Sequence, residues 1–312
     1  MKKINPYILL LGLAASTMAC ENLQTVVELD VPDIDPQLTI NALVNTDSAW
    51  SVLVTGHRYV LDSEEIPYID GATVKLFSGS EELGSTSTHT NGFYNLPITP
   101  EEGREYRVEV SHPDYPTASA TTKVEEPVYY DELAFDLPND LRNFEGRLQG
   151  SITLSDPANV RNYYHLVLFS TIDFPVGLGS NGDTLFERYE YAVYFQLGEG
   201  STDGIIEVNA DAFGWFEGQV FSDELFDGRT ITFNFDFNND AYLLTEGSKW
   251  QVKADFRSLS EDYYKYLGSY GIQRNTQGNP FAQPAQVFTN VEGGLGIVAG
   301  YSRASNTYIF LD

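Results

Sequence analysis

The sequence predicts an all-β fold: two β-sandwich-type domains, the second with one short helix near residues 258–270. Three observations carry that reading. Short runs in which apolar and polar residues alternate recur through most of the chain, and period-two alternation marks a half-buried strand. Aromatic residues make up 13% of the 312 positions, with 20 Tyr and 19 Phe, a bias that favours strands over helices. Helical spacing of apolar residues is convincing in one stretch alone, close to the C-terminus.

Taken from the start, Lys2 and Lys3 precede Tyr7 to Ala15, which is apolar apart from Gly12, and Thr17-Met18-Ala19 leads into Cys20. That order reads as an export signal. Its apolar part is too short for a spanning helix, which needs about 20 residues. A cysteine at the cleavage point suggests a bacterial lipoprotein, with residues 1–19 as signal peptide and Cys20 as the lipidated first residue. Thr17 stands where a strict lipoprotein box prefers Leu, and an ordinary secretory signal holding a cysteine is the alternative. Cys20 is the single cysteine. Once acylated, it leaves no disulfide, no cysteine nucleophile and no thiolate metal site.

Removing residues 1–19 takes away Lys2 and Lys3 but no acid, so the formal charge moves from -27 to -29. A body this acidic repels nucleic acid and anionic head groups, which argues against both as partners. Solubility alone accounts for the acidity equally well.

Residues 20–36 read as an acidic tether that buries little and ends at Pro32 and Pro36. Residues 37–126 carry short strands. Trp50, Val52 and Val54 alternate with Ser51, Leu53 and Thr55; Val74 and Leu76 flank Lys75; Tyr106, Val108 and Val110 alternate with Arg107 and Glu109. Asn91-Gly92 signals a type I′ hairpin, since both positions of that turn require positive φ. Six or seven such strands imply a β-sandwich. Glu125-Glu126-Pro127 marks a boundary, because acid plus proline interrupts strand pairing.

Residues 127–312 are again mostly strand. Ile231, Phe233, Phe235 and Phe237 share one face, while Trp250, Val252, Ala254 and Phe256 leave Gln251, Lys253 and Asp255 outward. The denser runs Tyr163 to Phe169 and Tyr191 to Leu197 suit central strands. Ser258-Leu259-Ser260-Glu261 has capping-box spacing, with Ser258 placed to cap and Glu261 to reach back. Leu259, Tyr263, Tyr266, Leu267 and Tyr270 come next at helical intervals, and Gly268 or Gly271 can end the helix.

Residues 70–76, then Asn91-Gly92-Phe93-Tyr94, Tyr106 to Val110 and His112-Pro113-Asp114-Tyr115 resemble the carboxypeptidase regulatory-like (transthyretin-like) β-sandwich. The resemblance implies a module without catalysis of its own. Ser258 to Leu267, Gly278 to Pro284, Asn290 to Ser302, Asp156 to Tyr164 and Leu225 to Gly228 resemble an uncharacterised lipoprotein family of the Bacteroidetes labelled domain of unknown function 4249, as does the opening through Asn41. That likeness spans essentially the whole chain. It implies an outer-membrane lipoprotein on the periplasmic or cell-surface face, often encoded beside a TonB-dependent receptor as partner, and supplies no catalytic motif.

No catalytic set and no cofactor is expected. His57, His89, His112 and His165 show no metal-ligand spacing. His89 and His112 read as exposed turn residues and His165 as a hydrogen-bonded sheet residue. Gly177 to Gly182 matches a dinucleotide pattern, but the residues after Asp183 are strand-like and do not supply the helix a pyrophosphate needs, so it reads as a loop. Asp236, Asn238 and Asp240 alternate like the start of a calcium loop, yet Glu246 and Gly247 miss the remaining places. Those three are weak surface calcium candidates or a solvated strand-end turn. The run Gly293 to Gly296 reads as a tight bulge. Tyr129-Tyr130, Tyr163-Tyr164 and Tyr263-Tyr264 either stack on sugar rings or divide between core and surface. The expected role is a non-enzymatic accessory protein of a receptor, or an independent binder of a small molecule, glycan or peptide.

Overall fold

The computed structural model describes residues 35–57, 67–197, 217–241, 244–276, 283 and 285–311. The leader, Cys20, the tether as far as residue 34 and most of the stretch Gly278 to Pro284 lie outside them. Eight strands come first: β1 (Leu38–Val44), β2 (Trp50–Gly56), β3 (Thr73–Ser78), β4 (Glu81–Thr86), β5 (His89–Thr90), β6 (Phe93–Leu96), β7 (Glu105–His112) and β8 (Tyr115–Lys123). After them come β9 (Tyr130–Asp136), β10 (Arg147–Ser155), β11 (Tyr163–Leu178), β12 (Thr184–Ala192), β13 (Phe195–Leu197), β14 (Gln219–Ser222), β15 (Thr230–Asn238) and β16 (Lys249–Leu259). A helix α1 (Glu261–Thr276) and the long strand β17 (Leu295–Leu311) close the order. Among the described residues the fold is all-β with one helix, as the alternation implies.

One nine-stranded sheet runs β12-β11-β16-β17-β1-β2-β6-β5, with β14 also on β11. Two four-stranded sheets, β4-β3-β7-β8 and β13-β15-β10-β9, supply the other layers. The first core joins Leu38, Ile40, Trp50, Val52, Val74, Tyr106 and Val108; the second joins Leu148, Phe233, Phe235, Phe237, Trp250 and Phe256. Val124 belongs to the first core and Val128 packs on the second, either side of Pro127. The first core also takes Val291 and Val298 from the far end of the chain.

That return is made by β17. Its first residues pair parallel with β1, from Thr39↔Leu295 to Val44↔Gly300, and the remainder pairs antiparallel with β16. The sheet therefore passes through both cores, and residues 36–312 form one compact unit. The Gly293 to Gly296 run leads into β17 and lies against backbone of β8 and β1. Asn91 and Gly92 take φ of 51° and 79° and turn β5 into β6, the geometry a type I′ hairpin demands.

Three local expectations are corrected. The helix is capped by Ser260, whose Oγ accepts the Tyr263 N–H at 3.3 Å, because β16 continues through Leu259. Ser258, inside that strand, instead accepts the Val128 N–H at 2.9 Å. Neither Gly268 nor Gly271 ends α1; Tyr263, Leu267 and Gly271 form its buried stripe at i, i+4, i+8. Asp255 points along the predicted outward face yet is buried, covered by arginines of β16 and β17. Ser260→Ala is expected to cost about 1 kcal/mol, the usual worth of an N-cap, read as a lower thermal midpoint.

Candidate functional site

Residues 156–162 connect β10 to β11, and residues 223–229 connect β14 to β15. Each connection passes between the nine-stranded sheet and the β13-β15-β10-β9 sheet, at the same end of the second core. Their backbones interlock. The Asp156 N–H donates to Arg229 O at 3.1 Å and the Asp223 N–H to Asn162 O at 3.1 Å. Side chains complete the lock: Asp227 Oδ1 accepts the Asn159 N–H at 2.8 Å, and Asp223 Oδ2 accepts the Asn162 N–H at 2.7 Å.

This arrangement brings three carboxylates together. One oxygen from each of Asp156, Asp223 and Asp227 lies within 4.8 Å of the others, with Asp156 and Asp223 buried and Asp227 exposed. Asp156 is held by the Tyr164 hydroxyl at 2.5 Å and the Gly228 N–H at 2.9 Å. Burial, together with that bond to Asp156, pushes the Tyr164 phenol well above its ordinary range. Burial also raises Asp223 above the usual carboxylate value, and the charges of Asp156 and Asp227 act in the same direction. Arg161 pairs with it: its Nε stands 3.5 Å from Asp223 Oδ1 and its Nη1 3.5 Å from Glu224. A cleft of about 390 Å³, lined by Glu125, Arg161, Asn162, Tyr163 and Glu261, opens beside it. A donor set of oxygens alone suits a hard cation rather than zinc or copper.

The residues singled out in the sequence fall elsewhere. Asp236 forms an ion pair with the Arg147 guanidinium, and Asn238 Oδ1 accepts from the same group at 2.7 Å. Asp240 accepts the Tyr191 hydroxyl. An arginine on the neighbouring β10 thus occupies the position that a calcium ion between Asp236 and Asn238 would need. Asp156, Asp223 and Asp227 escape sequence reasoning as a group because they sit on two connections more than sixty residues apart. The sequence signals two of them, Asp156 in the run Asp156 to Tyr164 and Asp227 in the run Leu225 to Gly228, while Asp223 lies outside both.

His89 and His112 are mostly enclosed rather than exposed, correcting the expectation, because both rings tie down residue 70. His89 Nδ1 accepts the Gly92 N–H at 3.0 Å, which leaves Nε2–H to donate to Asp70 Oδ1 at 2.6 Å. His112 Nδ1 accepts the Asp114 N–H, so Nε2–H donates to Asp70 O. His165 is buried in β11, donating through Nε2 to Glu217 O at 2.6 Å. Gly177 and Leu178 end β11, and residues 179–183 form the β11–β12 turn, closed by the Gly179 N–H on Asp183 O at 2.7 Å. The tyrosine pairs divide by burial: Tyr164 and Tyr263 are in the core, Tyr129 is exposed, and Tyr163 stacks on Tyr264.

A second surface stands apart from the acidic one. The β11–β12 hairpin forms the edge of the nine-stranded sheet and exposes Val176, Leu178, Leu185, Phe186, Tyr189 and Tyr191, with Tyr194 just beyond. They divide between the two faces of the hairpin, Leu178 and Phe186 on one and Leu185, Tyr189 and Tyr191 on the other, and exposed apolar side chains on a sheet edge are the kind of surface that a partner covers.

Fold and site together define an all-β protein whose two cores share a sheet and whose three clustered acids form a hard-cation donor set. A family model described as Domain of unknown function (DUF4249) matches residues 24–307, and the chain belongs to that family. A comparison with curated proteins finds no match. Among the described residues, no helix is long and apolar enough to cross a membrane.

Proposed function

We propose that this protein is a lipid-anchored, non-enzymatic accessory lipoprotein of the outer membrane that works with a TonB-dependent receptor in nutrient uptake. The observation that carries the reading is Cys20, the one thiol in the chain, set directly behind a basic and apolar leader. The Bacteroidetes lipoprotein family that the sequence resembles, and the transthyretin-like character of residues 37–126, fit the same picture. An acidic tether then holds a β body off the bilayer, and the exposed β11–β12 hairpin offers the receptor an apolar contact. A binding rather than catalytic role is supported by His89, His112 and His165, whose ring nitrogens are committed to backbone, to Asp70 and to Arg257.

Cys20→Ser is expected to abolish acylation, read by mass spectrometry, and to release the protein from sedimented envelopes. Retention with unchanged mass behaviour would remove the anchor from the proposal. Co-purification with a receptor from detergent-solubilised membranes tests the partnership; recovery of the protein alone at matched abundance would count against it.

The exposed aromatic rings of Phe186, Tyr189 and Tyr194 favour a second reading, an independent surface binder of glycans or peptides. Binding on a glycan array that Tyr189→Ala and Tyr194→Ala abolish, without receptor present, would select it.

A further inference from the structure

We infer that Asp156, Asp223 and Asp227 bind a calcium ion that clamps the two connections crossing between the sheets of the second core. Spacing supports the ion first. Calcium holds oxygens at about 2.3–2.6 Å, so oxygens on opposite sides of one ion stand up to about 5 Å apart. The three carboxylates fall within that limit, at 4.8 Å or less from one another.

A buried oxygen without a hydrogen bond supports it independently of the cluster's acidity. Asp223 is wholly buried, and its Oδ1 has no hydrogen-bond partner and meets only the Arg161 Nε, at 3.5 Å. The neighbouring Asn162 Oδ1 is also buried without one. Buried polar atoms are normally satisfied, and a buried carboxylate oxygen without a hydrogen bond, beside two further carboxylates, is a costly arrangement unless enough positive charge meets it. Arg161 is the only cation paired with Asp223 among the described residues, and it is half exposed, at 3.5 Å, and shared with Glu224. One shared guanidinium against three carboxylates leaves negative charge for a divalent ion, and the exposed Asp227 provides its way in.

The anchoring of each ligand fits this role. Asp156 and Asp227 spend one lone pair apiece on the backbone of the opposite connection, Gly228 and Asn159 respectively. Their carboxylates are therefore fixed in place before any ion arrives, and the ion would add to the hydrogen bonds that already cross the same gap. Its effect is structural: it joins residues 156–162 to residues 223–229 and so ties the sheets together.

The test uses the full-length protein in detergent, stripped with EDTA and titrated with calcium chloride alone. Saturable heat is expected, with a rise in melting temperature of about 5 °C at a hundredfold excess over Kd. Terbium in place of calcium is expected to show tyrosine-sensitised emission through Tyr164. Asp227→Asn, at an exposed position, is expected to weaken binding at least tenfold, and Asp223→Asn to do the same. Asp236→Asn, whose carboxylate is held by Arg147, is expected to leave the titration unchanged. Absence of heat, of a melting shift and of emission would overturn the inference, leaving Arg161 and a shared proton to neutralise the cluster. Binding that survives Asp227→Asn undiminished would overturn it too, since the ion would then lie elsewhere. Should Asp223→Asn fail to fold, Asp227→Asn alone decides.

Discussion

Gly296→Ala is expected to destabilise the protein by about 4 kcal/mol, at the upper end of what single substitutions do. Gly296 has φ of 104°, in a region that side chains with a Cβ rarely adopt. A Cβ there would lie 2.1 Å from Ile40 O, 2.8 Å from Ile40 C and 3.0 Å from Ile40 N. All three atoms are backbone, so no side chain can turn aside. Ile40 is also the register partner of Gly296 in the parallel β1–β17 pair, so β1 itself must move. That pair carries the nine-stranded sheet from one core to the other. Gly182→Ala provides the comparison: its φ of 85° is also positive, but nothing lies within 4 Å of the added carbon. It is expected to cost about 1 kcal/mol, the backbone penalty alone. Chemical denaturation of the two variants separates the terms, and equal losses would show that the close approach at Ile40 relaxes freely.

Local patterns in the chain foretell local structure well. Phe233, Phe235 and Phe237 alternate with polar residues and are buried in β15, because a strand with one solvated face writes its orientation into every second position. Asn91-Gly92 needs nothing beyond its own two residues to specify its turn. Sequence patterns fail where the deciding neighbour is distant along the chain. Asp255 keeps the outward rhythm of β16, yet the arginine that helps cover it, Arg303, lies in β17. Ser258 and Ser260 both fit a cap, and Ser260 is selected by the cross-strand pairing of Ser258 with Tyr164 and Ser302, which keeps residue 258 extended. The parallel partnership of β1 with β17 has no local signature at all. The acidic cluster shares that fate, since Asp156 and Asp223 meet only after two connections have crossed the same end of the sandwich.

Asp255→Asn is expected to cost about 3 kcal/mol, because it leaves buried positive charge without its counter-charge. The Asp255 carboxylate is 1% exposed and accepts from Arg257 Nε at 3.0 Å and Nη2 at 2.8 Å. The Ser305 hydroxyl donates to its other oxygen at 3.0 Å, and Arg303 Nη1 stands 3.9 Å away. Arg257 in turn faces His165 Nδ1 at 3.4 Å. Burial, then the Arg257 charge, hold the His165 imidazole down to about 4 from its ordinary 6.5. Above pH 6.5 the ring is neutral in both folded and unfolded chains and contributes nothing to pH dependence. Between pH 6.5 and about 4 the unfolded chain takes up a proton that the folded chain refuses. Stability therefore falls as pH drops through that window, by about 3 kcal/mol in all at roughly 1.4 kcal/mol per unit. Asp223 acts in the opposite sense just above its ordinary 3.8, because its folded carboxyl keeps a proton longer. Asp173, lowered by Arg188, matters only below 3.8. His165→Gln keeps a donor for Glu217 O but cannot titrate, so the difference between its denaturation profile and that of the native protein isolates the imidazole. Parallel profiles from about pH 7 to about pH 4.5 would mean that water reaches His165 and that the Asp255–Arg257 pair is not sealed in the sheet.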